Sequence, residues 1–249
     1  MTVGLECFHR RHQRFLDRYI NDPSYKLNHL NRDTQWETSW GYDSLLYAPL
    51  LIYAKQKRIR LYGLHPTDEM VHDVLTKGID AIPTSLLKGV VTQEPGHYEQ
   101  YQRIMKVSPE KLARNPSFSK HFDRMYQVQC FREEYMAESV LVEVNRHQKH
   151  PQGHWTAVLA GENHILGRGG IPSRALRRSS SSLLATGHTP GMKLTPKNRG
   201  VFTVMPRTIS FPMVANEAPG RMAADYVWYV ENDTLKTGQV NASPFRNLA

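Results

Sequence analysis

The segment from Ala157 to Arg174 constrains the fold more than any other part of this sequence. Its apolar run, Ala-Val-Leu-Ala, ends at a glycine and is followed by Glu-Asn-His and then by a glycine-rich turn before Ile-Pro-Ser-Arg. Such a run predicts a buried strand of a parallel sheet, which helices cover on both faces. The polar groups that follow would lie at the carboxyl edge of the sheet, where α/β proteins bind ligands. The turn can also offer N–H groups to an anion.

Further apolar runs separated by helical patterns extend this prediction to most of the chain. Strands are predicted at residues 3–8, 59–64, 155–160, 201–205 and 225–230. Helices are predicted at about residues 9–20, 45–56, 67–77, 118–148 and 171–178, with a further helix beginning at Ser108-Pro109 and only short helical pieces between residues 21 and 42. Strands that alternate with helices predict an α/β fold, with a mainly parallel sheet flanked by helices.

The end of the chain differs in composition from the rest. A loop rich in Ser, Gly, Pro and Lys is predicted at about residues 179–199. It interrupts the pattern without resembling a boundary between two domains. We therefore expect one domain over residues 1–232 and a loose tail over residues 233–249.

The net charge of +9 is unevenly distributed. Between Asn163 and Asn216 there is no Asp or Glu, but there are eight basic residues: Arg168, Arg174, Arg177, Arg178, Lys193, Lys197, Arg199 and Arg207. A local positive field favours an anionic partner, although a solvated basic loop is an equal alternative. Nucleic acid is not favoured, because no RNA-binding motif or set of interleaved aromatic residues accompanies the charge. No run approaches the roughly 18 apolar residues that a transmembrane helix needs.

Three strand ends carry residues that could bind a metal or act as a base. Glu6, His65 and His164 each follow or end a predicted strand, so they would meet at one edge of the sheet. Together they could bind a divalent metal. The alternatives stay open, because strands commonly end in polar residues and Glu6 could pair with a neighbouring arginine.

Aromatic residues are concentrated in the N-terminal third of the chain. Five of them, Trp36, Trp40, Tyr42, Tyr47 and Tyr53, lie within 18 positions of one another. Such residues can enclose a flat ligand, but core packing is the usual reason for tyrosines at helical spacing. The sequence has no P-loop, dinucleotide fingerprint, nucleophile elbow or Cys-x-x-Cys pair.

Several motifs in order resemble the ChaN family of the Tiki and erythromycin-esterase-like superfamily. They are Leu5-Glu6-Cys7-Phe8, Tyr47-Ala48-Pro49-Leu50-Leu51, His65-Pro66, residues 132–138 (Arg-Glu-Glu-Tyr-Met-Ala-Glu), residues 160–164 (Ala-Gly-Glu-Asn-His), residues 169–174 (Gly-Gly-Ile-Pro-Ser-Arg) and residues 224–228 (Ala-Asp-Tyr-Val-Trp). The resemblance spans about residues 3–230. The family normally opens with a strand that ends in Gly-Glu-x-His, and this chain begins at what resembles the next strand, so we expect that strand to be missing.

The resemblance implies a haem-binding α/β protein that takes part in haem or iron handling and is not an enzyme. It makes His164 the first candidate near the iron or a propionate, Tyr47 a candidate axial ligand, and Arg168, Gly169, Gly170 and Arg174 candidates for the propionates. The alternative is a metal-dependent hydrolase that uses Glu6, His65 and His164. The resemblance also implies a possible homodimer and a plastid setting.

Overall fold

The computed structural model describes residues 1–147, 155–165 and 169–180, together with two strands at residues 204–209 and 226–231. The strands are β1 (Thr2–His9), β2 (Arg60–His65), β3 (Thr156–Leu159), β4 (Val204–Ile209) and β5 (Tyr226–Glu231). The α-helices are α1 (Gln13–Asn21), α2 (Leu27–Asp33), α3 (Trp36–Ser39), α4 (Ala48–Gln56), α5 (Asp68–Lys77), α6 (His97–Ile104), α7 (Pro109–Arg114), α8 (Pro116–Arg146), α9 (Glu162–Ile165) and α10 (Ile171–Ser180). Three single turns of 3₁₀ helix cover Arg10–His12, Ser44–Leu46 and Ile79–Ala81.

The chain divides into two compact units, Met1–Arg199 and Gly200–Ala249. The first unit contains a parallel sheet in the order β2-β1-β3, and in the second unit β4 pairs with β5, also in parallel. The predicted α/β fold with a parallel sheet is confirmed. The predicted single domain over residues 1–232 stays a prediction, and the tail at 233–249 lies outside the described residues.

Strand β1 is the centre of the first sheet and is buried along its whole length. Val3 aligns with Leu61 on one side and with Ala157 on the other. The register with β2 shifts between Leu5 and His9, where a side chain at Gly63 would clash with the backbone carbonyl of His9. Glycine is therefore needed where the two strands come closest. This shift brings His9 beside His65 at the carboxyl edge.

The structure differs from the sequence-based prediction at several elements. Strand β3 was expected to be buried, but it borders only β1 among the described strands, and Ala157 and Leu159 are exposed. The first helix was expected from about residue 9, but β1 continues to His9 and α1 begins at Gln13. Helix α6 was missed, and α10 extends to Ser180, past the predicted start of the Ser-rich loop. Residues 181–199 of that loop lie outside the described residues.

Local capping explains where the correctly predicted helices begin. The Thr67 hydroxyl accepts a hydrogen bond from the Met70 N–H at the start of α5, and the Ser108 hydroxyl accepts one from the Lys111 N–H at the start of α7. Pro49 lies in the first turn of α4, where a missing N–H costs nothing. These caps satisfy N–H groups that have no partner inside the helix.

Helix α8 spans 31 residues and packs against β2, α5 and α10. Its apolar residues contribute to the cores on both of its flanks, with Met136 and Ala137 towards the sheet and Phe131 towards α5. Its central residues therefore pass directly behind the carboxyl edge of the sheet. Among the described helices, none combines the length and the apolar character needed to cross a bilayer.

Candidate functional site

The carboxyl edge of the sheet gathers the three predicted strand-end residues around an arginine from α8. Arg132 Nη2 donates to Glu6 Oε1 at 3.0 Å, and Arg132 Nε donates to His65 Nε2 at 2.8 Å. His164 Nε2 lies 3.3 Å from the same Glu6 oxygen. Glu6 and His164 are thus in direct contact, whereas His65 reaches them only through Arg132.

Arg132 takes the place between Glu6 and His65 that a bridging metal ion would need. Over the described ranges, no three His, Cys, Asp or Glu side chains are arranged to hold a metal. The divalent metal predicted at Glu6, His65 and His164 stays a prediction, and these contacts do not support it. A guanidinium between a carboxylate and an imidazole already supplies the positive charge that an ion would bring.

The charges of this cluster are fixed by its contacts. Burial raises the pKa of Glu6, but hydrogen bonds from His164 and the Gly161 N–H, together with the charge of Arg132, outweigh it and lower that pKa to about 2. Burial lowers the pKa of His164, but Glu133 and Glu6 more than compensate and hold it above its ordinary value. The two carboxylates therefore favour the protonated form of His164.

Glu133 continues the network away from the sheet. Its Oε1 lies 3.5 Å from His164 Nδ1 and accepts a hydrogen bond from Gln129 Nε2 at 2.7 Å. Its Oε2 lies 3.3 Å from His97 Nε2 and accepts one from Arg174 Nε at 3.2 Å. Since both nitrogens of His164 face protein partners, neither is free to bind iron in this arrangement.

Arg174, a predicted propionate partner, is fully buried within the protein. Its guanidinium donates to Glu133, to Glu134 Oε1 at 2.6 Å and to the Val91 carbonyl at 2.8 Å, and also to the Gly169 carbonyl. All of these partners belong to the chain itself. Arg174 therefore connects α10 to α8 and does not line the cavity at the carboxyl edge of the sheet.

The predicted glycine turn supports the same junction. A side chain at Gly169 would clash with the His97 ring, so the turn packs directly on that histidine. The Gly170 carbonyl accepts a hydrogen bond from the Arg174 N–H at 3.1 Å and one from the Ser173 hydroxyl at 3.0 Å. Arg168, which was predicted beside them, lies outside the described residues.

The basic region is partly neutralised. Arg177 and Arg178 both donate to Glu134, and Arg178 also donates to Glu138 Oε2 at 3.3 Å. Three of the eight basic residues between Asn163 and Asn216 (Arg174, Arg177 and Arg178) therefore form ion pairs with carboxylates of α8 or of the loop before α6. The side chains of the other five lie outside the described residues, so the local positive field is not established.

A cavity of about 890 Å³ opens at this edge of the sheet. Its polar floor contains Glu6, Gln129, Arg132 and His164. Its walls are mainly apolar and aromatic: Trp40, Tyr42, Leu46, Tyr47, Leu50, Tyr101, Ile104, Met105 and Leu159. This volume and this division between walls and floor are typical of cofactor and small-molecule sites.

Tyr47 is one of the predicted site residues that line the cavity. Its hydroxyl oxygen accepts a hydrogen bond from Trp40 Nε1 at 3.0 Å, which fixes the orientation of the phenol. Burial raises the pKa of Tyr47, and the hydrogen bond from Trp40 offsets part of that effect. The phenol is thus neutral, half-buried and held by an aromatic neighbour.

Sequence reasoning missed several residues of this site. Gln129 and Glu133 belong to a stretch that reads as an ordinary polar helix face, and His97 and Tyr101 lie where the pattern is weak. One signal was available, since the consecutive charges at Arg132, Glu133 and Glu134 interrupt the apolar spacing of a long helix. Three consecutive residues cannot share one solvent-facing stripe.

The model of the family described as haem-binding uptake, Tiki superfamily, ChaN, matches residues 1–175. The chain belongs to this family. Among solved structures it is similar to ChaN of Campylobacter jejuni, whose structure shows cofacial haem binding, with 23% identity and a TM-score of 0.51 over 73% of this chain. The match covers 64% of that ChaN chain, so this chain corresponds to less than two thirds of its length.

The chain is also similar to a mutant of the erythromycin esterase EreC in its open conformation, with 14% identity and a TM-score of 0.39. That match covers 90% of this chain and 66% of the esterase. No curated protein matches the sequence. At these identities the ChaN structure supports the shared fold alone, while the match to the ChaN family rests on the sequence.

Proposed function

We propose that this chain binds haem in the cavity at the carboxyl edge of the sheet and acts in haem or iron handling without catalysing a reaction. The observation that carries the proposal is an aromatic and apolar cavity of about 890 Å³ with an oriented phenol, Tyr47, in its wall. A macrocycle needs apolar walls, an axial donor and polar groups for its two carboxylates. The described residues supply all three kinds of group.

Tyr47 would hold the iron through its phenol oxygen in this proposal. A phenolate oxygen is an established ligand of ferric haem, and the Trp40 N–H would stabilise its negative charge. Burial raises the pKa of Tyr47, so the phenol of the free chain is protonated, and haem binding through its oxygen would release a proton and strengthen as the pH rises. His164 has a supporting role, in which it holds Glu6 and Glu133 in place beneath the ligand.

Arg132 is our choice for the anionic edge of the ligand. It is the one Lys or Arg side chain among the described residues that line the cavity. Its Nε and Nη2 atoms contact His65 and Glu6, and its Nη1 atom has no hydrogen bond or ion pair to any residue that the structure describes. A guanidinium with one nitrogen left over can donate to a propionate. Gly169, Gly170 and Arg174 would then support the site from behind, and Arg168 stays a prediction.

A haemin titration followed at the Soret band tests this proposal. We expect saturable binding with one site per chain, and a spectrum that changes when Tyr47→Phe removes the phenol oxygen. The matched control is Tyr53→Phe, which changes an exposed tyrosine of α4 outside the cavity. Identical spectra and affinities for Tyr47→Phe and the unchanged chain would refute Tyr47 as the ligand, and an absence of saturable binding would refute the haem proposal itself.

We also propose that two chains associate at the mouth of this cavity. Tyr42, Leu46, Met105 and Leu159 line it and are between 41% and 72% exposed. Exposed apolar rims of this kind mark interaction surfaces. Light scattering with and without haemin would detect a haem-dependent dimer, and Leu46→Lys should abolish it while Ile52→Lys, an exposed position of α4 outside the cavity, should not.

A further inference from the structure

Three tyrosines lead from the ligand cavity to a second cavity. Tyr101 lines the first cavity, whereas Tyr98 and Tyr126 line the second, which has a volume of about 470 Å³. The ring centroids of Tyr101 and Tyr126 lie 5.5 Å apart, and those of Tyr126 and Tyr98 lie 4.8 Å apart. The rings therefore form an unbroken series of contacts from one cavity to the other.

Both tyrosines at the second cavity have a proton acceptor. The Tyr98 hydroxyl donates to Asp123 Oδ1 at 2.7 Å, and the Tyr126 hydroxyl lies 3.1 Å from His97 Nδ1. The arrangement around His97 makes Nδ1 an acceptor. Glu133 lies 3.3 Å from the other ring nitrogen, Nε2, and the guanidinium of Arg174, which can only donate, lies 3.5 Å from Nδ1.

Packing alone does not require this arrangement. Aromatic clusters are usual in protein cores, and contacts between ring edges and faces stabilise them. A core cluster, however, needs neither a cavity at each end nor a proton acceptor beside the hydroxyls of Tyr98 and Tyr126. Burial raises the pKa of Tyr126 and Tyr98, so each phenol keeps its proton until it is oxidised. An oxidised phenol is a strong acid and transfers its proton to a base within hydrogen-bond distance.

We propose that Tyr101, Tyr126 and Tyr98 carry single electrons between the ligand cavity and the second cavity. The oxidant is a haem in the ligand cavity that a hydroperoxide has oxidised. It would take one electron from Tyr101, whose proton passes to water in that cavity and returns when Tyr101 is reduced again. Tyr101 is reduced by Tyr126, and the Tyr126 O–H bond breaks as its proton moves to His97 Nδ1.

The remaining steps restore the chain to its starting state. Tyr126 recovers its electron from Tyr98 and its proton from His97, while the Tyr98 proton moves to Asp123. A small reductant of the thiol or ascorbate class then gives one electron to Tyr98 at the second cavity. Tyr98 recovers its proton from Asp123, and the proton that the oxidised reductant loses passes to water. The nature of the oxidised group rests on the proposed haem binding, but the electron path can be tested without haem.

The experiment places a photo-oxidant at the first cavity of the haem-free chain. Asn163 is exposed and lines this cavity, whereas the two natural cysteines, Cys7 and Cys130, are buried. In Asn163→Cys, a ruthenium polypyridyl maleimide will therefore label position 163. Illumination with persulfate as the electron acceptor leaves an oxidised ruthenium centre, and a nitroso spin trap followed by mass spectrometry locates the tyrosyl radicals. We expect a trapped radical on Tyr98.

Two variants of the labelled chain test the order of the path. Tyr126→Phe should abolish the adduct on Tyr98 and leave that on Tyr101, and Tyr101→Phe should abolish the adducts on both Tyr126 and Tyr98. The control is Tyr25→Phe, which changes a buried tyrosine bonded to Asp33 and outside the series, and which should leave the Tyr98 adduct unchanged. Circular dichroism shows which variants are folded.

Two results would overturn the proposal. One is radicals trapped only on tyrosines near the label, such as Tyr42 and Tyr47, with none on Tyr98. The other is an equal yield on Tyr98 in the unchanged chain and in a folded Tyr126→Phe or Tyr101→Phe variant. Because no haem is present, a failure of this path is distinct from a failure of haem binding, which the Soret titration reports separately.

Discussion

Two regions of the interior are built on opposite principles. Between β1, α1 and α4 the core is apolar, and Phe8, Leu16, Trp36 and Leu51 are at most 2% exposed. Behind the carboxyl edge of the sheet the core is charged, and Glu133, Glu134 and Arg174 are each 0% exposed. Both regions exclude water, but they do so with different side chains.

The two regions differ in the side-chain substitutions that each of them tolerates. Apolar packing is non-directional, so a side chain of similar volume can replace another at small cost. A buried ion pair is stable only while every partner is present, because an unpaired charge in the interior loses its hydration without compensation. The charged region therefore fixes the position of α8 against α10, while the apolar region supplies stability with fewer constraints on identity.

The strongest test of this contrast removes one member of the charged region. Arg174→Met leaves Glu133 and Glu134 buried without their shared cation, so we expect a loss of about 4 kcal/mol in the free energy of unfolding, measured by urea denaturation. Arg103→Met, at an exposed position, is the control and should leave the unfolding midpoint unchanged. A loss below about 1 kcal/mol, the worth of a surface ion pair, would contradict the contrast.

Truncating a side chain in the apolar region should lower the free energy of unfolding somewhat less than Arg174→Met does. Leu61 on β2 is fully buried, and Leu61→Ala should lower the free energy of unfolding by about 3 kcal/mol through lost burial and the cavity that remains. Leu61→Met conserves volume and should cost about 1 kcal/mol in the same urea measurement. Equal losses for the two variants would show that this region is as demanding of side-chain identity as the charged one.

Acidification should lower the stability of the protein by a smaller amount, and we expect His12 to contribute to this loss. Burial and the neighbouring charges of His9, Arg11 and Arg14 lower the pKa of His12 to about 4. The unfolded chain therefore binds a proton at His12 below about pH 6.5, but the folded chain does so only near pH 4. The free energy of unfolding therefore decreases as the pH is lowered from about 6.5 to about 4.

His12→Phe should reduce this loss, because the side chain stays aromatic against His9 but no longer titrates. Melting temperatures at pH 7.5 and at pH 5 measure the change. The control is His72→Phe, at an exposed histidine, which should retain the full loss on acidification. If the melting temperatures of His12→Phe and of the unchanged chain fall by the same amount between pH 7.5 and pH 5, His12 does not cause the loss of stability.

The smallest expected effect comes from a purely local contact. Thr67→Ala removes the hydroxyl that accepts from the Met70 N–H at the start of α5, which should cost about 1 kcal/mol in the urea measurement. Thr76→Ala changes a threonine inside the same helix, where alanine is the better helix former, and should cost nothing. A loss at Thr76 as large as that at Thr67 would mean that the cap is not the cause.

Thr67 and Arg174 also show which parts of the structure could be predicted. The cap at Thr67 needs only residues within one turn, and the spacing and order of such signals predicted the parallel α/β fold and the starts of α5, α7 and α10. Arg174 was predicted to face a ligand, but it meets carboxylates that lie 40 and 41 positions earlier in the chain. No local pattern reports which of the many possible partners such a residue will find.

The sequence by itself therefore determined the alternation of strands and helices, the caps, the position of Glu6, His65 and His164 near the carboxyl edge of the sheet, and the family. Only the tertiary structure decided that Arg132 separates His65 from Glu6, that Glu133 lies beneath His164, and that Tyr47 faces the cavity beside Trp40. The reason is physical. Backbone propensity and capping act between near neighbours, whereas the pairing of buried charges and the shape of a cavity depend on how distant elements pack.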